Sequence, residues 1–279
     1  MKAIGHFDTA DFKTQPLSRV LATGLVNRKP NPVAKGQTML EDKVIVYDDS
    51  CPMCKIYTYW FVAVGLLKQE NRVGFATASQ EITANIDMDR GRHEIPLYDR
   101  VTGETIYGLT AMTHILASRW AWMKPIFESK PFYWTFHPIY QIITYNRRVI
   151  AGCKHCCGFD CAPDLNKFYR SVYLGIAGAF ILFVTALLMI SGTFLGSIGL
   201  GMIAGFGCYG LIAGSINRVA SGSLAGWNFA GNYTTTVLIV AATLLPGILL
   251  GTALPDTLLW ATAATAALLG VTEIKRRDL

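Results

Sequence analysis

Charged residues are scarce in this sequence: Asp, Glu, Lys and Arg make up 16% of it, against about 25% in typical soluble domains. The shortage is concentrated in one region, because Arg218 and Asp256 are the only charged residues between Arg170 and Glu273. This distribution excludes a wholly soluble protein. It divides the 279 residues into a soluble head and a membrane tail.

The tail contains four apolar stretches, predicted as membrane spans at 173–195, 198–216, 234–253 and 257–272. The first three are long enough to cross the roughly 30 Å hydrocarbon layer of a bilayer, and the fourth is shorter. The second span carries two pairs of glycines four residues apart, a spacing that lets helices approach closely. These glycines are Gly201 with Gly205 and Gly210 with Gly214.

Lysine and arginine are missing from two of the connections between spans, at 192–197 and 251–256. They flank the other span ends, at positions 147, 148, 154, 167, 170, 218 and 275–277. Because basic flanks stay in the cytoplasm, we expect a multi-pass protein, of the bacterial inner membrane, with both termini cytoplasmic. The opening MKAIGHFDTADFKTQ contains no apolar segment of the kind a signal peptide needs, so no cleavable signal peptide is expected.

The head shows alternating strand and helix signals. Strands are predicted at 43–49 and 72–79, a hairpin at 94–108, and helices at 51–69, 80–88 and 109–120. The order β-α-β-α-β-β-α predicts an α/β thioredoxin-like head, followed by an all-α membrane region of about four transmembrane helices. We divide the chain into an N-terminal extension (1–42), a thioredoxin-like domain (43–125), an aromatic and basic juxtamembrane helix with a cysteine-rich segment (126–170), and the transmembrane region (171–279).

A Cys-x-x-Cys pair, Cys51 and Cys54, lies where the first predicted strand meets the first helix. A helix N-terminus stabilises a thiolate through its unpaired N–H groups, so Cys51 is the predicted nucleophile, with a lowered pKa. Cys54, one turn later, is placed to resolve a mixed disulfide. Pro96 is a candidate cis-proline, because thioredoxin-like folds carry one at this strand and X-Pro bonds make it accessible.

Two other interpretations of the pair remain. Zinc sites use the same cysteine spacing but need two further ligands, and His93 and His114 are not in suitably spaced pairs. A structurally inert pair is the second alternative. The strand before, the proline inside and the long helix after the pair favour redox chemistry.

The segment YDDSCPMC resembles the signature of the DCC family of thiol-disulfide oxidoreductases, an Asp-x-x-Cys-x-x-Cys pattern. In this sequence the pattern is Asp48, Cys51 and Cys54. The resemblance continues through IYGLTAMTHILASRW and HPIYQIITYNRRVIAG and covers about residues 43–152. It implies a thioredoxin-like fold and thiol-disulfide exchange that requires no cofactor.

Asp48 has two interpretations. It is either a structural cap near the helix start or a partly buried general base that takes the proton of Cys54. The base role requires the carboxylate to lie near Cys54, since a carboxylate close to Cys51 would instead oppose formation of the Cys51 thiolate. We prefer the base role for Asp48 and a solvated role for Asp49.

A second cysteine group, CKHCCGFDC, lies just before the first span. Its candidate ligands are Cys153, Cys156, Cys157, Cys161 and His155. Three interpretations stay open: a zinc site, a secondary disulfide that exchanges with Cys51 and Cys54, and idle thiols.

The sequence therefore predicts a membrane-anchored, cytoplasm-facing thiol-disulfide oxidoreductase with a protein thiol or disulfide as client or reductant. The alternatives are a non-enzymatic accessory or assembly subunit of a larger membrane complex, for example a respiratory one, and a metal-handling protein. The soluble part, up to Arg170, has a net charge of +5, which fits attraction to an anionic lipid bilayer, and no nucleic-acid motif is found.

Overall fold

The computed structural model describes residues 40–152, 163–191, 194–250 and 256–277. The N-terminal extension up to residue 39 and the second cysteine group at 153–161 lie outside these ranges. The described residues belong to one compact unit, so contacts between the head and the apolar helices are part of that unit.

The head is built on a four-stranded mixed sheet. The strands are β1 (Lys43–Tyr47), β2 (Arg72–Gly74), β3 (Pro96–Asp99) and β4 (Thr105–Tyr107), in the spatial order β2-β1-β3-β4. β1 is parallel to β2 and antiparallel to β3, and β3 is antiparallel to β4. This is the predicted thioredoxin-like arrangement, in which the parallel pair is joined by a helical crossover and the antiparallel pair by a hairpin.

Six helices belong to the head and its connection to the tail. They are α1 (Pro52–Ala63), α2 (Gln80–Ala84), α3 (Met88–His93), α4 (Gly108–Arg119), α5 (Lys124–Phe127) and α6 (Lys130–Ala151). The predicted helix at 80–88 is instead two short helices, because Asp87 accepts a hydrogen bond from the Arg90 amide and starts a new one. The predicted second strand stops at Gly74, where a short 3-10 helix takes over.

The sheet has an apolar core on each face. Successive side chains of β1 point to opposite sides, so Val44 and Val46 pack on one face and Ile45 and Tyr47 on the other. The second of these cores also contains both Cys51 and Cys54. The candidate redox pair is therefore built into the packed interior between the sheet, α1 and α4.

The tail consists of α7 (Lys167–Ser191), α8 (Phe194–Leu249) and α9 (Asp256–Arg277). Four segments are long and apolar enough to cross a membrane: Lys167–Ile190, Ser197–Ile216, Ser223–Leu250 and Thr257–Arg277. This confirms the predicted all-α membrane region. The first helix starts six residues earlier than the predicted span, because the side chain of Asn166 accepts hydrogen bonds from the amides of Phe168 and Tyr169 and caps it.

The long helix α8 contains the second and third spans and folds back on itself. A straight helix would separate Gly210 from Tyr233 by about 35 Å. The Tyr233 ring nevertheless lies against Gly210, and Phe229 lies against Gly214. The two halves of α8 are therefore an antiparallel pair of helices.

Arginines at span ends link the helices of the tail to one another and to the head. Arg170, in the first turn of α7, donates to the carbonyl of Trp227, near the start of the third span. Arg277, at the end of α9, donates to the carbonyls of Val149 and Ile150 in α6. These contacts place the start of the first span and the end of the fourth on the same side as the head.

Candidate active site

Cys51 and Cys54 occupy the start of α1 as predicted from the sequence. Cys51 is the N-cap residue, its amide donates to the Asp48 carbonyl at 3.2 Å, and Pro52 fills the first helical position. A proline suits this position because its missing N–H would have no helical partner. Both residues are thiols, and both are buried, with 0% and 3% of their surfaces exposed.

The two thiols have unequal environments. The pKa of the Cys54 thiol is raised, first by a hydrogen bond with Cys51, then by burial, and further by the negative charge of Asp48. The positive charge of Arg147 acts in the opposite direction. Cys54 is consequently protonated at neutral pH and needs a proton acceptor before it can attack a disulfide.

Asp48 lies directly beneath the start of the helix and is 4% exposed. One carboxylate oxygen accepts hydrogen bonds from the amide and hydroxyl of Ser50, at 3.0 and 2.5 Å. The other oxygen forms an ion pair with Arg147 at 3.2 Å. The carboxylate thus orders the turn that carries Cys51, and its charge is matched by a cation.

Arg147 was not selected by the sequence analysis as a site residue. It lies on α6, and its side chain is 8% exposed. Burial opposes its charge, but the neighbouring Cys54, Asp48 and Tyr57 outweigh that effect and raise its pKa. One signal was available in the sequence: Tyr140, Thr144 and Arg147 follow helical spacing, so they form a polar stripe on one face of α6.

Two tyrosines complete the polar surroundings of Cys54. Burial, followed by the nearby charge of Cys54, raises the pKa of Tyr57, whose hydroxyl hydrogen-bonds to that thiol. Burial also raises the pKa of Tyr140 to about 12, and its hydroxyl accepts a hydrogen bond from the Ile95 amide at 3.3 Å. Both phenols stay neutral near pH 7, so Asp48 and Arg147 carry the fixed charges of this cluster.

The prediction of a cis peptide bond before Pro96 is wrong, because the part of the chain that the structure describes contains no cis peptide bond. The Ile95 carbonyl accepts a hydrogen bond from the Gly108 amide at 2.9 Å, and Pro96 pairs with Tyr107. Ile95 still reaches the site, because it packs in the same apolar core as both cysteines.

The second cysteine group, Cys153, Cys156, Cys157 and Cys161 with His155, falls outside the described residues. Within the described ranges, no cluster of three or more His, Cys, Asp or Glu side chains could hold a metal ion. The residues on either side of the group are anchored on the head. Ala151 packs against the core that contains Cys51 and Cys54, and Asp164 pairs with Arg92 at 3.1 Å.

A buried dithiol at a helix start, on a thioredoxin-like sheet, is the arrangement of a thiol-disulfide exchange protein. Residues 45–153 match the family model of the DCC1-like thiol-disulfide oxidoreductases. The matched segment extends from β1 through α6 and is followed by four candidate membrane spans. No curated protein and no solved structure shows a significant match to the sequence.

Proposed function

We propose that the protein is a membrane-anchored thiol-disulfide oxidoreductase that acts through Cys51 and Cys54, with its head in the cytoplasm of a bacterial cell. The observation that carries the proposal is the position of Cys51 as the N-cap of α1, with Cys54 one turn inside the same helix. This geometry gives the first sulfur the field of the helix N-terminus and keeps the second within reach of it.

The proposed exchange has two steps. The Cys51 thiolate attacks a client disulfide, one client sulfur leaves as a thiolate, and a mixed disulfide forms. Cys54 then gives its proton to Asp48 and attacks the Cys51 sulfur, and the second client sulfur leaves. Two electrons have passed from the dithiol to the client, and the Cys51–Cys54 disulfide has formed. The client and the reductant that restores the dithiol are proteins, and no organic cofactor takes part.

Turnover of a small disulfide tests this proposal in the full-length protein held in lipid nanodiscs. Cys51→Ser should abolish reduction of oxidised glutathione, and Cys54→Ser should stop after a mixed disulfide at Cys51. Cys208→Ala is the matched control, since Cys208 is an exposed thiol in the second span, away from the site. Equal turnover by the wild-type protein and Cys51→Ser would contradict the proposal.

The cytoplasmic orientation rests on the basic span ends, which include Arg170 and Lys275–Arg277. A membrane-impermeant maleimide should therefore not label a cysteine introduced at Lys275 in intact cells, whereas one introduced at Ser197 should react. The reverse pattern would place the head outside.

A specific observation favours the alternative of an accessory subunit of a membrane complex. Cys51 is completely buried, and a nucleophile that meets a protein disulfide needs access to it. An inactive dithiol with a stable co-purifying membrane partner would support that alternative.

The second cysteine group has its own tests. If Cys153–Cys161 binds zinc, the purified protein should contain about one equivalent of the metal. If the group exchanges disulfides with Cys51 and Cys54, the oxidised protein should contain disulfides among these cysteines.

A further inference from the structure

We propose that Arg147 is a positioning and charge-compensating residue for the resolving step: it balances the negative charge on Asp48 before proton transfer and on Cys54 after it. This inference rests on the proposed exchange between Cys51 and Cys54. It assigns to α6, a helix outside the β-α-β-α-β-β-α core, a direct part in the chemistry of the site.

The geometry connects Arg147 to the dithiol through one residue. Its guanidinium is 3.2 Å from the carboxylate of Asp48, and both side chains are almost fully buried. The backbone carbonyl of the same aspartate accepts the amide of Cys51. The cation, the carboxylate and the start of α1 are therefore consecutive members of one hydrogen-bonded chain.

The electrostatic argument follows from burial. An unpaired charge in a protein interior is costly, so a buried carboxylate needs a cation or must take up a proton. When the Cys54 S–H bond breaks and the proton moves to Asp48, a negative charge moves from oxygen to sulfur. The fixed charge of Arg147 attracts both anions, and the cluster keeps a net charge of zero throughout. The same cation opposes the environment that otherwise raises the pKa of Cys54.

The backbone next to Arg147 is held by the tail. Asn146 donates to the carbonyl of Tyr169 at 3.0 Å, and Val149 packs against Tyr173 of α7. At the end of α6, Arg276 donates to the carbonyl of Ala151 at 2.8 Å. These contacts fix the turn of α6 that presents Arg147 to Asp48.

The test follows the resolving step separately from the first attack. Reduced full-length protein in nanodiscs is mixed with dithiodipyridine, quenched with acid at intervals, and mapped by mass spectrometry. Peptide mapping distinguishes the mixed disulfide on Cys51 from the Cys51–Cys54 disulfide. The other five cysteines therefore do not need to be replaced. The conversion rate of one species into the other is measured across a range of pH.

In Arg147→Met, the mixed disulfide should form and accumulate, and its conversion should be about tenfold slower at neutral pH, with the midpoint shifted up by about one pH unit. Arg147→Lys keeps the charge and should restore most of the rate. Arg148→Met removes the neighbouring charge on the same helix and should behave like the wild-type protein.

Two outcomes separate this inference from the proposed function. If Arg147→Met converts its mixed disulfide at the wild-type rate with the wild-type midpoint, Arg147 has no part in the resolving step. If no variant, including the wild-type protein, forms a mixed disulfide at Cys51, the proposed exchange itself fails. Should Arg147→Met not fold, Arg147→Gln decides, because glutamine keeps a hydrogen-bond donor for Asp48 but not the charge: a midpoint shifted up supports the inference, and a wild-type midpoint overturns it.

Discussion

Cys54 lies one turn inside α1, where its thiol hydrogen-bonds to Cys51 and to the buried hydroxyl of Tyr57. These contacts and the apolar core around them favour the neutral thiol, whereas Cys51 lies at the positive end of the helix. Two cysteines of identical chemistry thus have different surroundings although they lie three residues apart. We expect the nucleophile to be the one that the helix N-terminus can stabilise as an anion.

Alkylation should report this difference directly. In the reduced protein, iodoacetamide should modify Cys51 at least about tenfold faster than Cys54 at neutral pH, since each unit of raised pKa lowers the thiolate fraction tenfold. Because the shift at Cys54 is upward, its rate should grow as the pH rises and approach that of Cys51 only in alkaline solution. Mass spectrometry of the tryptic peptides measures both rates.

The unfolded protein is the control for that measurement. In denaturant the two thiols lose their environments and should react at equal rates, with midpoints near the ordinary value of about 8.5. Equal rates in the folded protein at neutral pH would show that the helix start does not distinguish them.

Among the helices, α8 contains two pairs of glycines with the same spacing but different surroundings. Gly210 and Gly214 lie against the rings of Tyr233 and Phe229, so the two halves of the helix approach closely there. Gly201 and Gly205 have the same spacing but face open space. The pattern that predicted close packing for both pairs is correct for one of them.

A larger residue at Gly210 should therefore destabilise the hairpin of α8. Gly210→Leu would place its side chain in the volume that the Tyr233 ring fills, at a cost of about 1–3 kcal/mol for overpacking. We expect a lower midpoint of thermal unfolding for the full-length protein in nanodiscs.

Gly201→Leu is the matched control, because a side chain at that position of the same helix meets nothing within 4 Å. Its unfolding midpoint should stay close to that of the wild-type protein. A loss of stability in Gly201→Leu as large as in Gly210→Leu would show that helix propensity or lipid contact, rather than packing on Tyr233, sets the effect.

At the scale of the whole molecule, the tail closes onto the head through α9. The side chain of Arg277 is 1% exposed and bonds to Asn232 at 2.9 Å as well as to carbonyls at the end of α6. The last carbonyls of a helix have no intrahelical donors and carry partial negative charge. A guanidinium therefore stabilises them both by hydrogen bonds and by its positive charge. The same contact joins the fourth span, the third span and the helix that carries Arg147.

Removal of this contact should loosen α6. Arg277→Met loses hydrogen bonds from a charged group, each worth about 1.5–3 kcal/mol, and leaves the carbonyls of Val149 and Ile150 without it. Hydrogen–deuterium exchange in the last two turns of α6 should become faster. Lys275→Met, which removes an exposed charge from the same turn of α9, should leave that exchange unchanged. Equal effects of the two substitutions would contradict a specific role for Arg277.

Features that depend on local signals were predictable from the amino-acid sequence. Each of these signals lies within a short segment of the sequence. They are the strand-to-helix junction at Cys51, the proline that follows it and the four uncharged stretches. The two-part architecture and the placement of the dithiol at the start of α1 were predictable for this reason.

Features that depend on residues far apart in the chain became visible only in the folded molecule. Asp48 and Arg147 are separated by about a hundred positions, so their ion pair exists only because α6 packs beside α1. Which glycines of α8 meet an aromatic ring depends on the bend between its halves. Periodicity shows which residues share a face of a helix, but packing determines what that face meets.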